Sequence, residues 1–387
     1  MKINVLFDGW LNVPHSYAIV NCFQLIHMKK KYGDRINMFM REPGYCCKFW
    51  VKNASVYSIE HTQVLNSVNV WNGENIDVIY SITYPYNIEP TINNIPKCVF
   101  YTAEYSKLTD SHFHPSDIRL VNNNNLWFTS PSVWSSNGIR ELGVPESKNR
   151  VITHGVDSDV FYKTDNIIRE LYKIKDSDIV LLHNSTTCAT GKGTHLILAM
   201  IHHIVNVAKR TEYKLIIKGL IDLYDIKTCI ARNLGYLQIT QEEIDYMFNH
   251  HIILITEAVS FERMNQIYNM CDLCLSPYLC EGFNLTPLEA LATETCVVVP
   301  RTGSTKEYID DIYANGGSTY IHYIDSRVVD IENGKVNEIK TDDLIDVVLS
   351  FNKRERNATR MLEHINREYS WFKVADLLYE YLLECAR

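Results

Sequence analysis

Across 387 residues there is no run of about 18 apolar side chains, so the chain offers nothing able to span a bilayer. The opening residues, Met1-Lys2-Ile3-Asn4-Val5-Leu6-Phe7-Asp8, hold an apolar run far too short for a secretory signal. Excess positive charge is missing too. The 38 Lys and Arg against 46 Asp and Glu leave a net charge of −8, which argues against nucleic acid held by bulk electrostatics. Eleven cysteines are an odd number, scattered without a framework. Disulfide scaffolds are thereby excluded, and reduced thiols in a cytoplasmic setting are expected. No Asp-x-Asp cluster closes an expected strand. Cys271-Asp272-Leu273-Cys274 is a lone pair without a second pair at zinc spacing, and His202-His203 and His250-His251 have no partnering motif. No metal site is expected. Lys29-Lys30-Lys31 suit the dipole at a helix end, so any membrane contact is at most peripheral.

What remains is ordinary globular material, 46% hydrophobic and 22% charged, long enough for two domains of roughly 150 residues or more. Short apolar runs alternate with helical periods from end to end. The runs Ile3–Phe7, Ile36–Met40, Val78–Tyr80, Val99–Thr102 and Leu126–Thr129 fill the first half. Ile179–Leu182, Lys214–Ile217, Ile252–Ile255, Leu273–Ser276 and Val297–Val299 repeat the pattern. Ile19, Val20, Phe23 and Ile26 recur at helical spacing, which predicts a helix from about Ser16 to Tyr32, stopped at Gly33. Strand–helix alternation with continuous apolar strands predicts an α/β protein of parallel sheets. The boundary is read at His154-Gly155-Val156-Asp157 and the polar stretch after it. Residues 1–160 form one doubly wound domain, rejoined by a final helix at about 368–387, and residues 161–367 form the second. A long helical segment is expected from about Arg356 to Ala386. Open sheets of this kind bind ligands beyond their strand C-termini, so two facing edges predict a cleft.

The chemistry concentrates in Ser276-Pro277-Tyr278-Leu279-Cys280-Glu281-Gly282-Phe283-Asn284-Leu285-Thr286-Pro287-Leu288-Glu289. A strand ends at Ser276-Pro277, a loop crosses Glu281-Gly282, and a helix is expected to open at Thr286-Pro287. First-turn amides and the helix dipole make an anion site there. Two carboxylates eight residues apart suit hydrogen bonds from sugar or ribose hydroxyls. Thr286-Pro287-Leu288-Glu289 also fits a capping box, in which Glu289 merely returns to the cap amide, and on local sequence alone that is the favoured reading of Glu289. Glu281, in a short loop beside a glycine, has no such structural use.

Glu281…Glu289 in this form resembles the Glu-x7-Glu signature of family 4 retaining glycosyltransferases with the GT-B fold. Thr153-His154-Gly155-Val156-Asp157…Phe161 is similar to that family's interdomain crossing, and Ser130…Trp134…Gly143-Val144-Pro145 to the strand and helix before it. Gly303-Ser304-Thr305-Lys306-Glu307 matches its glycine-rich turn, and Ser370-Trp371 the start of its last helix. In style, including Tyr101-Thr102-Ala103-Glu104, the chain is closest to members encoded by large algal viruses. The resemblance implies two Rossmann-like domains and a nucleoside-diphosphate sugar as donor, GDP-mannose first and UDP-glucose next. A hexose passes to a glycan or other hydroxyl acceptor, with no metal and no resident cofactor.

It also implies roles. Glu281 contacts the donor sugar, the amides of Gly282, Phe283, Asn284 and Leu285 hold phosphate, and Glu289 holds the ribose. Lys192, in Gly191-Lys192-Gly193, neutralises the diphosphate, and the base lies around Glu257, Ala258 and Val259. Ser260 reads equally as the cap of the helix that follows. Where the family carries an arginine five residues before the lysine, this chain has Thr187, so either another cation such as Arg301 or Arg263 supplies the charge or the protein is slow or inactive. In the first loop Gly9 and Ser16 stand nearest to the glycines that approach the phosphate. His15 and Glu104 are acceptor-side candidates, with a local hydrogen bond and a solvated loop carboxylate as their plain alternatives. Two rival readings stay open: a non-catalytic nucleotide-sugar binder or scaffold, and a sugar-nucleotide epimerase.

Overall fold

The computed structural model describes residues 2–44, 50, 52–165, 168–186 and 190–387. The chain divides into two compact units, Met1–Gly155 with Arg367–Arg387, and Val156–Asn366.

In the first unit, β1 (Ile3–Gly9), β2 (Ile36–Arg41), β3 (Asn69–Val70), β4 (Val78–Ile82), β5 (Lys97–Phe100), β6 (Leu126–Ser130) and β7 (Asn149–Val151) build one sheet in the order β3-β2-β1-β4-β5-β6-β7. Every pairing is parallel. Helix α1 (Ser16–Tyr32) follows β1, with His15 as its cap. The expected helix from 356 onward is two helices, Thr359–Glu368 and Trp371–Cys385, and the break is set by Ser370, whose hydroxyl caps the second by accepting the Lys373 amide. That last helix lies on α1: Trp371 stacks on Phe23 at 5.5 Å, and Tyr379 on Tyr32 at 3.9 Å. Gly155 permits the approach, since a Cβ there would stand 2.5 Å from the Trp371 amide nitrogen.

The second unit holds β8 (Ile179–Asn184), β9 (Tyr213–Lys218), β10 (Ile252–Ile255), β11 (Leu273–Leu275), β12 (Cys296–Pro300) and β13 (Ile321–Ile324), in the order β10-β9-β8-β11-β12-β13. All of these pairs are parallel. This is the Rossmann order, and the direction of winding reverses between β8 and β11. β14 (Ser326–Ile331) and β15 (Gly334–Ile339) form a separate antiparallel hairpin. Seven described cysteines are free and buried, but Cys229 is disulfide-bonded, which departs from the expectation of thiols throughout. Among the described residues no helix is long and apolar enough to cross a membrane.

Candidate donor site

The reversal of winding between β8 and β11 leaves a crevice beyond their C-terminal ends, the place where such sheets take ligands. Two segments meet there. After β8 the chain makes a short turn over Thr190–Lys192, and helix α2 (Thr194–His202) starts behind Gly193. Gly193 sits at φ +71°, and a Cβ on it would lie 2.0 Å from the Pro277 carbonyl oxygen. The Gly191 carbonyl accepts the amides of Leu279 at 2.6 Å and Cys280 at 3.3 Å. The lysine turn is thus seated on the loop that follows β11, with two glycines allowing the close approach.

That seating brings together residues 89 positions apart in sequence (192 and 281): Lys192 Nζ lies 2.7 Å from Glu281 Oε1, with only 14% and 17% of the two side chains exposed. Each charge compensates the other in a largely dehydrated setting, where a single unpaired charge would be expensive.

Beyond Glu281, Gly282 and Phe283 are buried, and the Phe283 ring stacks on Tyr308 at 4.6 Å. Helix α3 (Leu285–Ala292) begins one residue before Thr286, with Asn284 as its cap residue at φ +70°. The Asn284 side chain does not cap. It donates to Ser276 Oγ at 2.6 Å, while Tyr308 donates to the Asn284 carbonyl at 2.9 Å. Pro287 is consequently the third helical residue, still within the turn whose amides have no intrahelical acceptor. The expected capping box is absent, because Thr286 donates to the Asn184 carbonyl instead.

Glu289 therefore has other work. Its carboxylate accepts the Tyr268 hydroxyl at 2.6 Å, and Asn184 Nδ2 donates to that same hydroxyl oxygen at 3.2 Å. Loss of water around the Glu289 carboxyl pushes it up to about 7, against the opposing pull of the Tyr268 hydrogen bond. Tyr268 comes from the helix Phe261–Asn269. Sequence reasoning treated that helix only as framework, and the tyrosine gives no local signal because its partners lie 84 and 21 residues away.

The remaining candidates are more dispersed. Ala258 and Val259 are half-buried in the loop between β10 and the helix Phe261–Asn269, and Ser260 caps that helix by accepting the Arg263 amide. Thr187 lies outside the described residues. Of the two cations considered in place of the missing arginine, Arg263 binds Gln266 at 2.8 Å. Arg301 lies over the Tyr323 ring at 4.7 Å and beside Asp325. Both are engaged elsewhere, and neither is brought to Lys192 by any contact among the described residues.

In the first unit Gly9 ends β1, where a Cβ would meet Ile82 at 2.4 Å. Ser16 is exposed as the first residue of α1. His15 accepts the Tyr17 amide at 3.3 Å and packs on Trp50 at 4.5 Å. The Glu104 carbonyl holds the Trp134 indole N–H at 2.8 Å. Among the described residues no three His, Cys, Asp or Glu side chains converge as a metal site would require.

Comparison with known proteins bears on the fold. Residues 178–321 match the family model of glycosyl transferases group 1. A search of curated protein sequences finds no match. Among solved structures, HepE of Anabaena in complex with UDP and glucose superposes with a TM-score of 0.67 at 13% identity, covering 99% of this chain and 100% of that one. A glycosyltransferase from Rickettsia africae gives 0.67 at 12% identity over 100% and 99% of the chains. Sucrose-phosphate synthase from Thermosynechococcus elongatus gives 0.65 at 11% over 99% and 100%. At such identities the likeness is one of fold. The chain has the GT-B fold, and the match to the group 1 model lies within its second unit.

Proposed function

We propose that this protein is a retaining, metal-independent glycosyltransferase that moves a hexose from a nucleoside-diphosphate sugar to a hydroxyl of a glycan or similar acceptor. The supporting observation is the Lys192–Glu281 pair, 2.7 Å apart at the point where the winding reverses. A diphosphate gives the ammonium a better partner than the carboxylate, and the released carboxylate then accepts hydroxyls of the hexose. The first-turn amides of helix Leu285–Ala292 take a phosphate oxygen. Glu289 accepts the ribose hydroxyls.

In the reaction the bond from the anomeric carbon to the phosphate oxygen breaks, and one to the acceptor oxygen forms on the same face. The acceptor's proton passes to the departing phosphate oxygen. Lys192 and the helix amides stabilise the charge that builds on the diphosphate, and a donor of this kind is worth roughly a hundredfold or more in rate. For the donor, the resemblance supports GDP-mannose, while the HepE structures were solved with UDP, UDP-glucose and glucose.

The test is release of nucleoside diphosphate from GDP-mannose and UDP-glucose, with and without hydroxyl acceptors, and the anomeric configuration of the product. Release that falls at least a hundredfold in Lys192→Ala is expected. Binding without release in wild type, together with a large gain in Thr187→Arg, would point instead to the non-catalytic binder, whose supporting observation is the neutral residue at 187. Interconversion of free sugar nucleotides without acceptor would establish the epimerase.

A further inference from the structure

Lys218 closes β9 and is only 4% exposed. An ammonium has three N–H donors. Among the described residues the only acceptor Lys218 meets is the neighbouring Gly219 carbonyl, at 2.9 Å, and no carboxylate pairs with it. Buried lysines are almost always paired, so an ammonium left with two spare donors is an anomaly that asks for a ligand.

Its position says which part of a ligand. Lys218 is the register partner of Asn184 on β8 and of Ile255 on β10, and its carbonyl accepts the Ser185 amide at 3.1 Å. Register partners on parallel strands project to the same face of the sheet. Lys218 therefore leaves the sheet on the side of Asn184, whose amide reaches Tyr268 and, through it, Glu289. On its other flank the chain after β9 is tied to the chain after β10, since Gly219 donates to the Ile255 carbonyl and Ile221 to that of Thr256. Glu257 stands in that second segment, and its charge counters the burial that pushes Lys218 down to about 8. Along the sheet edge the order is thus Lys192 with Glu281, then Asn184, Tyr268 and Glu289, then Lys218, then Glu257 with Ala258 and Val259. Given the donor site proposed above, on which this inference rests, Lys218 falls one step beyond the ribose.

We propose that Lys218 donates a hydrogen bond to the exocyclic oxygen of the donor's base, at the edge where guanine carries O6 and uracil O4 and where adenine and cytosine carry amino groups. An ammonium cannot accept from an amino group, so the latter two are rejected by an unpaired buried donor facing another donor. Glu257 offers a carboxylate beside it for the ring N–H that neighbours such an oxygen in both keto bases. Its Oε2 already accepts the Thr256 amide at 3.1 Å, which holds the group in the loop.

The experiment is titration of the full chain with GDP, UDP, ADP and CDP, in wild type, Lys218→Met and Lys192→Ala, with thermal unfolding of each variant. The Met side chain fills the same volume without a buried charge, so Lys218→Met is expected to unfold no earlier than wild type. Wild type is expected to bind GDP or UDP at least tenfold more tightly than ADP and CDP. Lys218→Met is expected to lose at least tenfold for the preferred keto nucleotide and to leave ADP and CDP unchanged, whereas Lys192→Ala weakens all four. Unchanged base preference in a folded Lys218→Met would overturn the inference while leaving the donor site standing. Failure of wild type to bind any of the four would overturn the donor site and this inference with it.

Discussion

In the absence of ligand, Glu281 and Lys192 are each other's partner, and this determines what removal of either does. Glu281→Ala deletes a competitor for the ammonium as well as a ligand for the hexose. Bare GDP or UDP is then expected to bind as well as to wild type or better, while the intact sugar nucleotide binds at least tenfold more weakly. Calorimetric titration with both ligands reads the split, and equal losses for both contradict the division of roles. Glu289 carries a second, pH-dependent signature. Its carboxyl is held up at about 7 by desolvation, whereas an unfolded chain titrates near 4.5. Between these values the folded state binds the extra proton, so stability is greatest below about 4.5 and falls as pH rises through 7, by on the order of 3 kcal/mol. Glu289→Gln is expected to flatten that slope in urea titrations at pH 5 to 8. Hydroxyl donors favour the carboxylate, so nucleotide affinity runs the other way, rising about tenfold from pH 6 to pH 8 in wild type and not in the Gln variant.

Elements explain why some of this was readable from sequence and some was not. The central strands of both sheets are largely continuous apolar runs, and those are visible in a linear chain because burial on two faces leaves no alternation to confuse them, whereas the short strands Asn69–Val70 and Asn149–Val151 carry no such run. The hairpin Ser326–Ile339 went unread because neither strand is a continuous apolar run or a clean alternation: Ser-Arg-Val-Val-Asp-Ile and Gly-Lys-Val-Asn-Glu-Ile mix the two kinds of residue, and the first strand lies mostly exposed. β13, Ile321–Ile324, carries His322 and Tyr323 between its isoleucines, which hides an edge strand. The Glu281 loop and the Lys192 turn announce themselves by glycine and charge, but their meeting at 2.7 Å depends on how Gly191 and Gly193 seat one segment on the other. The capping box failed because it was judged on four residues. Asn284, held by Ser276 and Tyr308, starts the helix earlier and frees Glu289 for Tyr268. This makes Gly193 the weak point of the lysine turn. Gly193→Ala combines a left-handed backbone angle with a Cβ 2.0 Å from a carbonyl oxygen, and a loss of about 2 kcal/mol or more is expected. Nucleotide affinity is expected to fall with it, because Lys192 is displaced. Gly44→Ala, where a Cβ meets nothing within 4 Å, is the control expected to change neither denaturation midpoint nor binding.

At the scale of the whole molecule, the chain carries two separate cores, and every donor-side contact described above is made inside Val156–Asn366. A ligand that binds only the native form of that unit stabilises it by RT ln(1 + [L]/Kd), about 2.7 kcal/mol at a hundredfold excess over Kd. Two cores also mean that unfolding need not be a single two-state step. If the transitions separate in scanning calorimetry, GDP or UDP is expected to raise the midpoint of one and leave the other where it was. Lys192→Ala is expected to abolish that rise without lowering the unmoved transition. A nucleotide that shifted only the transition still responsive to a Trp371→Ala substitution, in the last helix of the first unit, would place binding on the wrong core. The net charge of −8 sharpens the point, since a diphosphate approaching an anionic protein gains nothing from the bulk field. Its stabilisation has to come from the few local donors at the sheet edge, so removing one of them is expected to erase most of the shift rather than a proportionate share.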